Sequence, residues 1–277
     1  MSMIRISVML FWLGALVAHG AGNIDATSEY AWAENGGWLQ AAATNAGVSV
    51  HFDGSSGYLS GHAWGENIGW VKFGANTGGP YVNTSSTDWG VNLSSSGTLS
   101  GHAWGENVGW ITFDPAFGGV MINFTNGTFS GRAWGENIGW LTFMGTSPDY
   151  GLRTLAFDAQ AQGTPNWWLD HHAVTETTED GDQVPAWKEY VADTDPNDPG
   201  SYFRILSISN ALPATQVAFT PASPGRSYTL MRRSLLTNGW NHVAGQAGVP
   251  GTGGEDTLHD TNTWARMFYT VEVTVTP

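Results

Sequence analysis

Gly61-His-Ala-Trp-Gly-Glu-Asn-Ile-Gly-Trp70 returns almost unchanged at Gly101–Trp110 and Gly131–Trp140, and a shorter copy, Ala31-Trp-Ala-Glu-Asn-Gly-Gly-Trp38, precedes all three. Aligned on their first indole (Trp32, Trp64, Trp104, Trp134), the copies are offset by 32, 40 and 30 residues. A period of this size marks one supersecondary unit copied in tandem, whose apolar face is buried only by its neighbours. The long middle offset comes from a Gly/Ser/Thr-rich stretch over residues 74–88, which reads as a loop. The same chemistry presented several times suits binding or scaffolding better than a single reaction centre.

Each unit predicts three short strands. Strand A is apolar and alternating, as in Gly47–Phe52, Gly90–Leu93, Gly119–Phe124 and Gly151–Leu155. Strand B runs into the motif, for example Tyr58–Trp64, and Gly-Glu-Asn-Ile-Gly turns the chain into strand C, Trp70–Phe73. The array begins with a B–C pair that lacks its A strand and ends with an A strand that lacks B and C. Pairing the two ends completes a fourth unit and removes both exposed sheet edges. The expected class is therefore all-β: a tandem three-stranded array over residues 21–158, closed in a propeller-like or prism-like way in preference to an open solenoid.

Alternation sorts the motif's side chains. Val71 with Phe73, Ile111 with Phe113 and Leu141 with Phe143 share one face of strand C. Trp70, Trp110 and Trp140 fall on the more polar face, as do Trp64, Trp104 and Trp134 of strand B. Two readings follow: indoles that stack on sugar rings, or indoles packed against glycine between units. The pairs Glu66-Asn67, Glu106-Asn107 and Glu136-Asn137 likewise read as hydrogen-bonding handles for ligand hydroxyls or as turn chemistry, with Asn in the left-handed region. The residue before Ala-Trp varies (Tyr30, His62, His102, Arg132), so a metal site on His62 and His102 would lack ligands in the other copies. Four equivalent carboxylates do not make the unlike acid/base pair that glycoside hydrolysis needs.

Composition narrows the class. A net charge of −14, with only Lys72, Arg132 and Arg153 positive between residues 21 and 160, argues against a nucleic-acid partner. Arg5, the apolar run Ile6–Val17 and Ala18-His-Gly20 read as a signal peptide over residues 1–20, too short for a span, with no membrane span left after cleavage. The expected location is secreted or cell-surface. Cysteine is absent, so packing and a bound cation must replace disulfides.

Residues 159–199 form an acidic linker with a short helix near Thr164–His172. Counting from Thr178, Asp180, Asp182, Val184 and Glu189 take positions 3, 5, 7 and 12 of a calcium loop, with Asp193 and Asp195 in the following turn. Thr178 replaces the first carboxylate and Gln183 the usual glycine, so an ion-free acidic linker is the alternative to Ca²⁺. Trp-Trp-Leu-Asp followed by Glu179-Asp-Gly-Asp182 and Ala186-Trp-Lys-Glu-Tyr190 resembles the thrombospondin type 3-like calcium-binding linkers of secreted bacterial proteins. The array is similar to repeat-bearing exported bacterial proteins of unassigned activity.

Residues 200–277 alternate as short strands with turn signals at Pro224-Gly225 and Asn238-Gly239, which predicts a small β-sandwich. It resembles the fibronectin type III-like modules that follow such linkers. Trp240, Trp264 and Tyr269 are expected in its core. Ser234, His259 and Asp260 have no triad context, and no zinc spacing or phosphate loop occurs. The expected function is a non-enzymatic adhesion or scaffold protein whose partners are polysaccharide or other surface proteins. Carbohydrate recognition by the repeated Trp, Glu and Asn is the alternative, and a polysaccharide hydrolase the third reading.

Overall fold

The computed structural model describes residues 22–44, 46–211, 213–262 and 266–276; the expected signal peptide over residues 1–20 and Trp264 lie outside them. The chain forms two compact units. The first comprises the described residues up to 50, with 58–123 and 128–154.

Its strands are β1 (Ile24–Ala33), β2 (Gly37–Gln40), β3 (Val48–Phe52), β4 (Ser56–Gly65), β5 (Gly69–Lys72), β6 (Val91–Ser94) and β7 (Thr98–Gly105). They continue with β8 (Gly109–Thr112), β9 (Gly119–Ile122), β10 (Phe129–Gly135), β11 (Gly139–Thr142), β12 (Met144–Thr146) and β13 (Asp149–Thr154). The four B–C hairpins β1–β2, β4–β5, β7–β8 and β10–β11 join edge to edge, and β11 pairs with β1. The array thus closes, as an eight-stranded antiparallel barrel made of one continuous sheet and not as separate propeller blades. The long B strands also carry the A strands at their other halves: β6 lies between β4 and β7, and β9 between β7 and β10. The last A strand, β13, pairs with β1, as the unmatched B–C pair at the start and the lone A strand at the end implied.

The interior is filled by pairing large against small. Leu39, Val71, Ile111 and Leu141 of the C strands are buried. Within each hairpin they face Ala31, Ala63, Ala103 and Ala133. Across the joints they face Gly65, Gly105, Gly135 and Ala33. Each branched side chain therefore has a small neighbour on both sides, which lets the ring close at interior density. Phe73, Phe113 and Phe143 form the next layer, with ring centroids 5.8 and 5.7 Å apart. At the turn end Ile68, Val108 and Ile138 are buried as a plug. The degenerate first copy has Gly36 there, and a Cβ on it would lie 3.0 Å from Ile68 and 3.4 Å from Ile138. Three branched residues fill that end, and the missing fourth is a packing requirement.

The second unit contains residues 51–57, 124–127 and 155 onward. Phe52, Phe124, Phe157 and Trp167 draw its segments together, with centroids 4.5–5.6 Å apart. Helices α1 (Asn166–His172) and α2 (Ala186–Ala192) each start after a proline, Pro165 and Pro185. Their contact buries Trp168, Leu169 and Ala186. Strands β14 (Arg204–Ala211), β15 (Ala214–Thr220), β16 (Arg226–Arg233), β17 (Asn241–His242), β18 (Val249–Pro250), β19 (Asp256–Asp260) and β20 (Phe268–Val275) follow. They make two sheets, β14-β15-β19 and β16 with β17, β18 and β20. Between them Val217, Phe219, Tyr228, Leu230 and Leu258 are buried. Tyr269 packs against that core, but Trp240 is 37% exposed, under Arg233 at 4.1 Å, and is not a core residue as expected. Asp260, in β19, is fully buried and takes Arg232 Nη1 on both oxygens at 2.8 and 2.6 Å.

Gly61, Gly101 and Gly131, the first residue of each full motif, have φ of 85–88°. A Cβ on Gly61 would lie 1.9 Å from the Gly47 carbonyl oxygen, so no other residue fits where strand B passes strand A. Gly61→Ala is expected to destabilise the barrel by more than about 2 kcal/mol in chemical denaturation. Gly151→Ala, whose Cβ would meet nothing within 4 Å, should stay within about 0.5 kcal/mol.

Candidate functional site

The barrel's exterior carries the indoles. In each hairpin the two motif tryptophans are direct cross-strand partners: Trp32–Trp38, Trp64–Trp70, Trp104–Trp110 and Trp134–Trp140. The first three pairs meet edge to face at 4.8, 4.8 and 4.7 Å, the favoured geometry for aromatic quadrupoles. Trp64, Trp70, Trp104, Trp110 and Trp134 are 36–45% exposed. Packing against glycine, the alternative reading, describes only Trp140, which is half-buried and lies where a Cβ on Gly118 would be, 2.8 Å away.

Beside each indole pair stands a second pair that differs between copies. Tyr30 faces Gln40, His62 faces Lys72, His102 faces Thr112 and Arg132 faces Thr142. These residues touch the second indole of their copy: Tyr30 at 6.0 Å, His62 at 6.3 Å, His102 at 6.0 Å and the Arg132 guanidinium at 4.9 Å. The long insertion adds Trp89 against Trp110 at 5.1 Å, and the β12–β13 hairpin adds Tyr150 against Trp38 at 5.0 Å. Trp89 and Tyr150 lie outside the repeated motif, so its pattern gave no sign of them.

The turns divide the labour of the Glu-Asn pairs. Ile68, Val108 and Ile138 donate their N–H groups back to Gly65, Gly105 and Gly135 at 3.2–3.3 Å. The left-handed residue is the glycine that follows, Gly69, Gly109 or Gly139 with φ of 68–77°, and not Asn as expected. Freed from that role, each Asn reaches the preceding turn: Asn67 Nδ2 donates to Gly36 O (3.4 Å), Asn107 to Ile68 O (3.3 Å) and Asn137 to Val108 O (3.1 Å). At the seam the backbone makes the same connection, Asn35 N–H to Ile138 O at 3.0 Å, supported by Trp140 N–H to Glu34 Oε2 at 3.2 Å. The asparagines are a ring of clasps, which answers their repetition. Glu66, Glu106 and Glu136 are exposed and make no hydrogen bond among the described residues.

In the second unit the acidic loop folds around one buried carboxylate. Glu189, on α2, is fully buried. Asp180 Oδ1 accepts the Asp182 N–H at 3.3 Å and Asp182 Oδ1 accepts the Val184 N–H at 2.7 Å. Their other oxygens, Asp180 Oδ2 and Asp182 Oδ2, are buried without a partner, as is Glu189 Oε2. Burial, and the charges of Asp180 and Asp182, push the Glu189 carboxyl up to about 7. Gln183 stands at the loop's glycine position and adopts that conformation, φ 69°. Asp193 is engaged by Arg226 at 3.4 Å and Asp195 lies 3.6 Å from His172. Among the described residues no three acidic, His or Cys side chains are gathered tightly enough to hold an ion as they stand. The fit to a hard cation rests on the three orphaned oxygens, which lack any other source of compensation.

The clasps are separable from the exposed carboxylates. Asn137→Ala should lower barrel stability by about 1 kcal/mol, the usual worth of one partly buried hydrogen bond, whereas Glu136→Gln should leave the denaturation midpoint unchanged.

Comparison with known proteins found no matching protein family, no similar curated protein and no similar solved structure.

Proposed function

We propose that this chain is an exported, non-catalytic adhesion module that binds polysaccharide through the indole belt of its barrel. The carrying observation is the set of cross-strand Trp pairs left over a third exposed on the outside of a sheet whose interior is already full. An exposed indole pair offers flat apolar area to the C–H face of a pyranose, and the neighbouring Glu66, Glu106 and Glu136 offer acceptors to its hydroxyls. Weak sites repeated around one rigid body gain by multivalency when the ligand is itself a repeating chain. A purely structural scaffold has no use for indole faces left open to water, which favours recognition over scaffolding alone. A hydrolase reading is disfavoured because the four turn carboxylates recur as equivalents. Measurable turnover of a polysaccharide panel would reverse that ranking.

On a glycan array the mature protein should bind at least one polysaccharide class. Trp70→Ala with Trp110→Ala should weaken that binding at least tenfold, with the barrel still folded by near-ultraviolet dichroism. No binder on the array, or binding untouched by the double variant, sinks the carbohydrate reading.

The acidic loop supports a second element of the same reading, a structural Ca²⁺ held by Asp180, Asp182 and Glu189 with the Val184 carbonyl. The ion would compensate three buried negative charges at once and stiffen the stretch between array and sandwich. Millimolar Ca²⁺ should raise the Tm of the second unit. Glu189→Gln, which removes one uncompensated charge, should raise the calcium-free Tm at pH 8 and blunt the calcium response. An unchanged Tm on adding Ca²⁺ or chelator means the linker works without an ion.

A further inference from the structure

The four indole patches are unlike, and the one at the seam is walled without a cation in its lining. Where the β12–β13 hairpin lies against the first copy, a cleft of 590 Å³ opens on the barrel's outside. That volume is within the roughly 300–1,000 Å³ of small-ligand sites. Trp38 stands at its centre with Tyr150 nearly perpendicular at 83° and Tyr30 at 74°, and Trp64 of the next hairpin also lines it. Its polar groups are Gln40, Glu66 and Asp149, with no Lys, Arg or His among the lining residues. A third carboxylate, Glu29, is held beside it by Gln40 Nε2 at 2.9 Å. The second and fourth patches carry Lys72 and Arg132 at the variable positions instead.

We propose that this seam cleft, between Trp38 and Tyr150 and bordered by Glu66 and Asp149, binds glycan units that carry free ammonium groups, as in glucosamine polymers. The proposal rests on the glycan reading of the belt and assigns its seam patch a ligand class. The aromatic walls supply stacking area for a pyranose and favour a nearby cation through their negative faces. The two exposed carboxylates add charge-assisted hydrogen bonds to an ammonium and repel a uronate or sulfate. Arg132 over Trp140 gives the opposite preference on the fourth patch. Asp88-Trp89-Gly90 before β6 is the counterpart of Asp149-Tyr150-Gly151, and Trp89 walls Trp110 in the same edge-on way, but there Lys72 lies over the added ring at 5.9 Å, whereas the seam cleft has no cation in its lining.

The test is calorimetric titration of the mature protein at pH 5.5 with glucosamine hexamer, its N-acetylated counterpart and galacturonate hexamer. The glucosamine hexamer should bind at least tenfold more tightly than the acetylated one and weaken with added salt, and the galacturonate should give no heat. Glu66→Gln with Asp149→Asn should bring the first two within about twofold of each other. Tyr150→Ala should weaken both, measured well below the variant's own melting temperature so that loss of fold does not enter. Equal native binding of the charged and acetylated hexamers, or a preference that survives the double carboxamide variant, overturns the ammonium assignment. If array glycans bind but glucosamine hexamer does not, the seam assignment fails and the belt reading stands; if nothing binds on the array, both fail.

Discussion

The main-chain pairing of β1 with β11 is the contact on which the rest of this barrel depends. Ala33 meets Leu141 and Trp32 meets Thr142 across it, and only through it do four short hairpins become a sheet without lateral edges. Closure is sterically conditional. A branched residue on every C strand must face alanine or glycine on both sides, and the turn end admits three branched side chains with Gly36 as the fourth. The first copy therefore departs from the consensus because closing a ring leaves no room for a perfect fourth unit.

A filled interior determines what the exterior can be. Side chains alternate across a strand, so placing Val71, Ile111 and Leu141 inside obliges Trp70 and Trp110 to face out. The cross-strand contacts between indoles stabilise each hairpin by something like 0.5–1.5 kcal/mol beyond burial, and they leave ring area exposed. The proposed recognition and the hairpin's stability therefore draw on one residue type. The asparagines have no such double duty, because their amides are committed to the neighbouring turn. On the proposed glycan reading, specificity falls to the residues that vary between copies, Tyr30, His62, His102 and Arg132, and to the two additions, Trp89 and Tyr150.

The second unit holds charge in a different way. Asp260 is buried and satisfied by Arg232, Tyr269 and Asn262, so its negative charge is stabilised and its carboxyl is held below the usual range against the opposing effect of burial. Glu189 is buried to the same degree with two further carboxylates for company and no cation among its partners. Two buried acids a few strands apart thus show opposite electrostatic outcomes, set by whether an arginine is within reach. That contrast is what the proposed calcium site in the loop is argued from.

Much of the architecture was legible in the residues alone. Period, strand alternation and unmatched strands at the two ends announced a closed all-β array, because copying a hairpin copies its register and its unsatisfied edges. The acidic spacing around Glu189 was likewise readable, since ligand loops impose fixed intervals along one chain. Three things needed the folded molecule. Whether hairpins close as blades or as one barrel depends on contacts between copies, which a local pattern does not encode. The role of each Asn depends on a carbonyl about thirty residues away, so it looked like turn chemistry until the turns stood side by side. The seam cleft joins Tyr30, Trp64 and Tyr150 from three separate stretches, and nothing in their linear order foretells it. Alternation determines which face a side chain occupies; only closure decides what stands next to it.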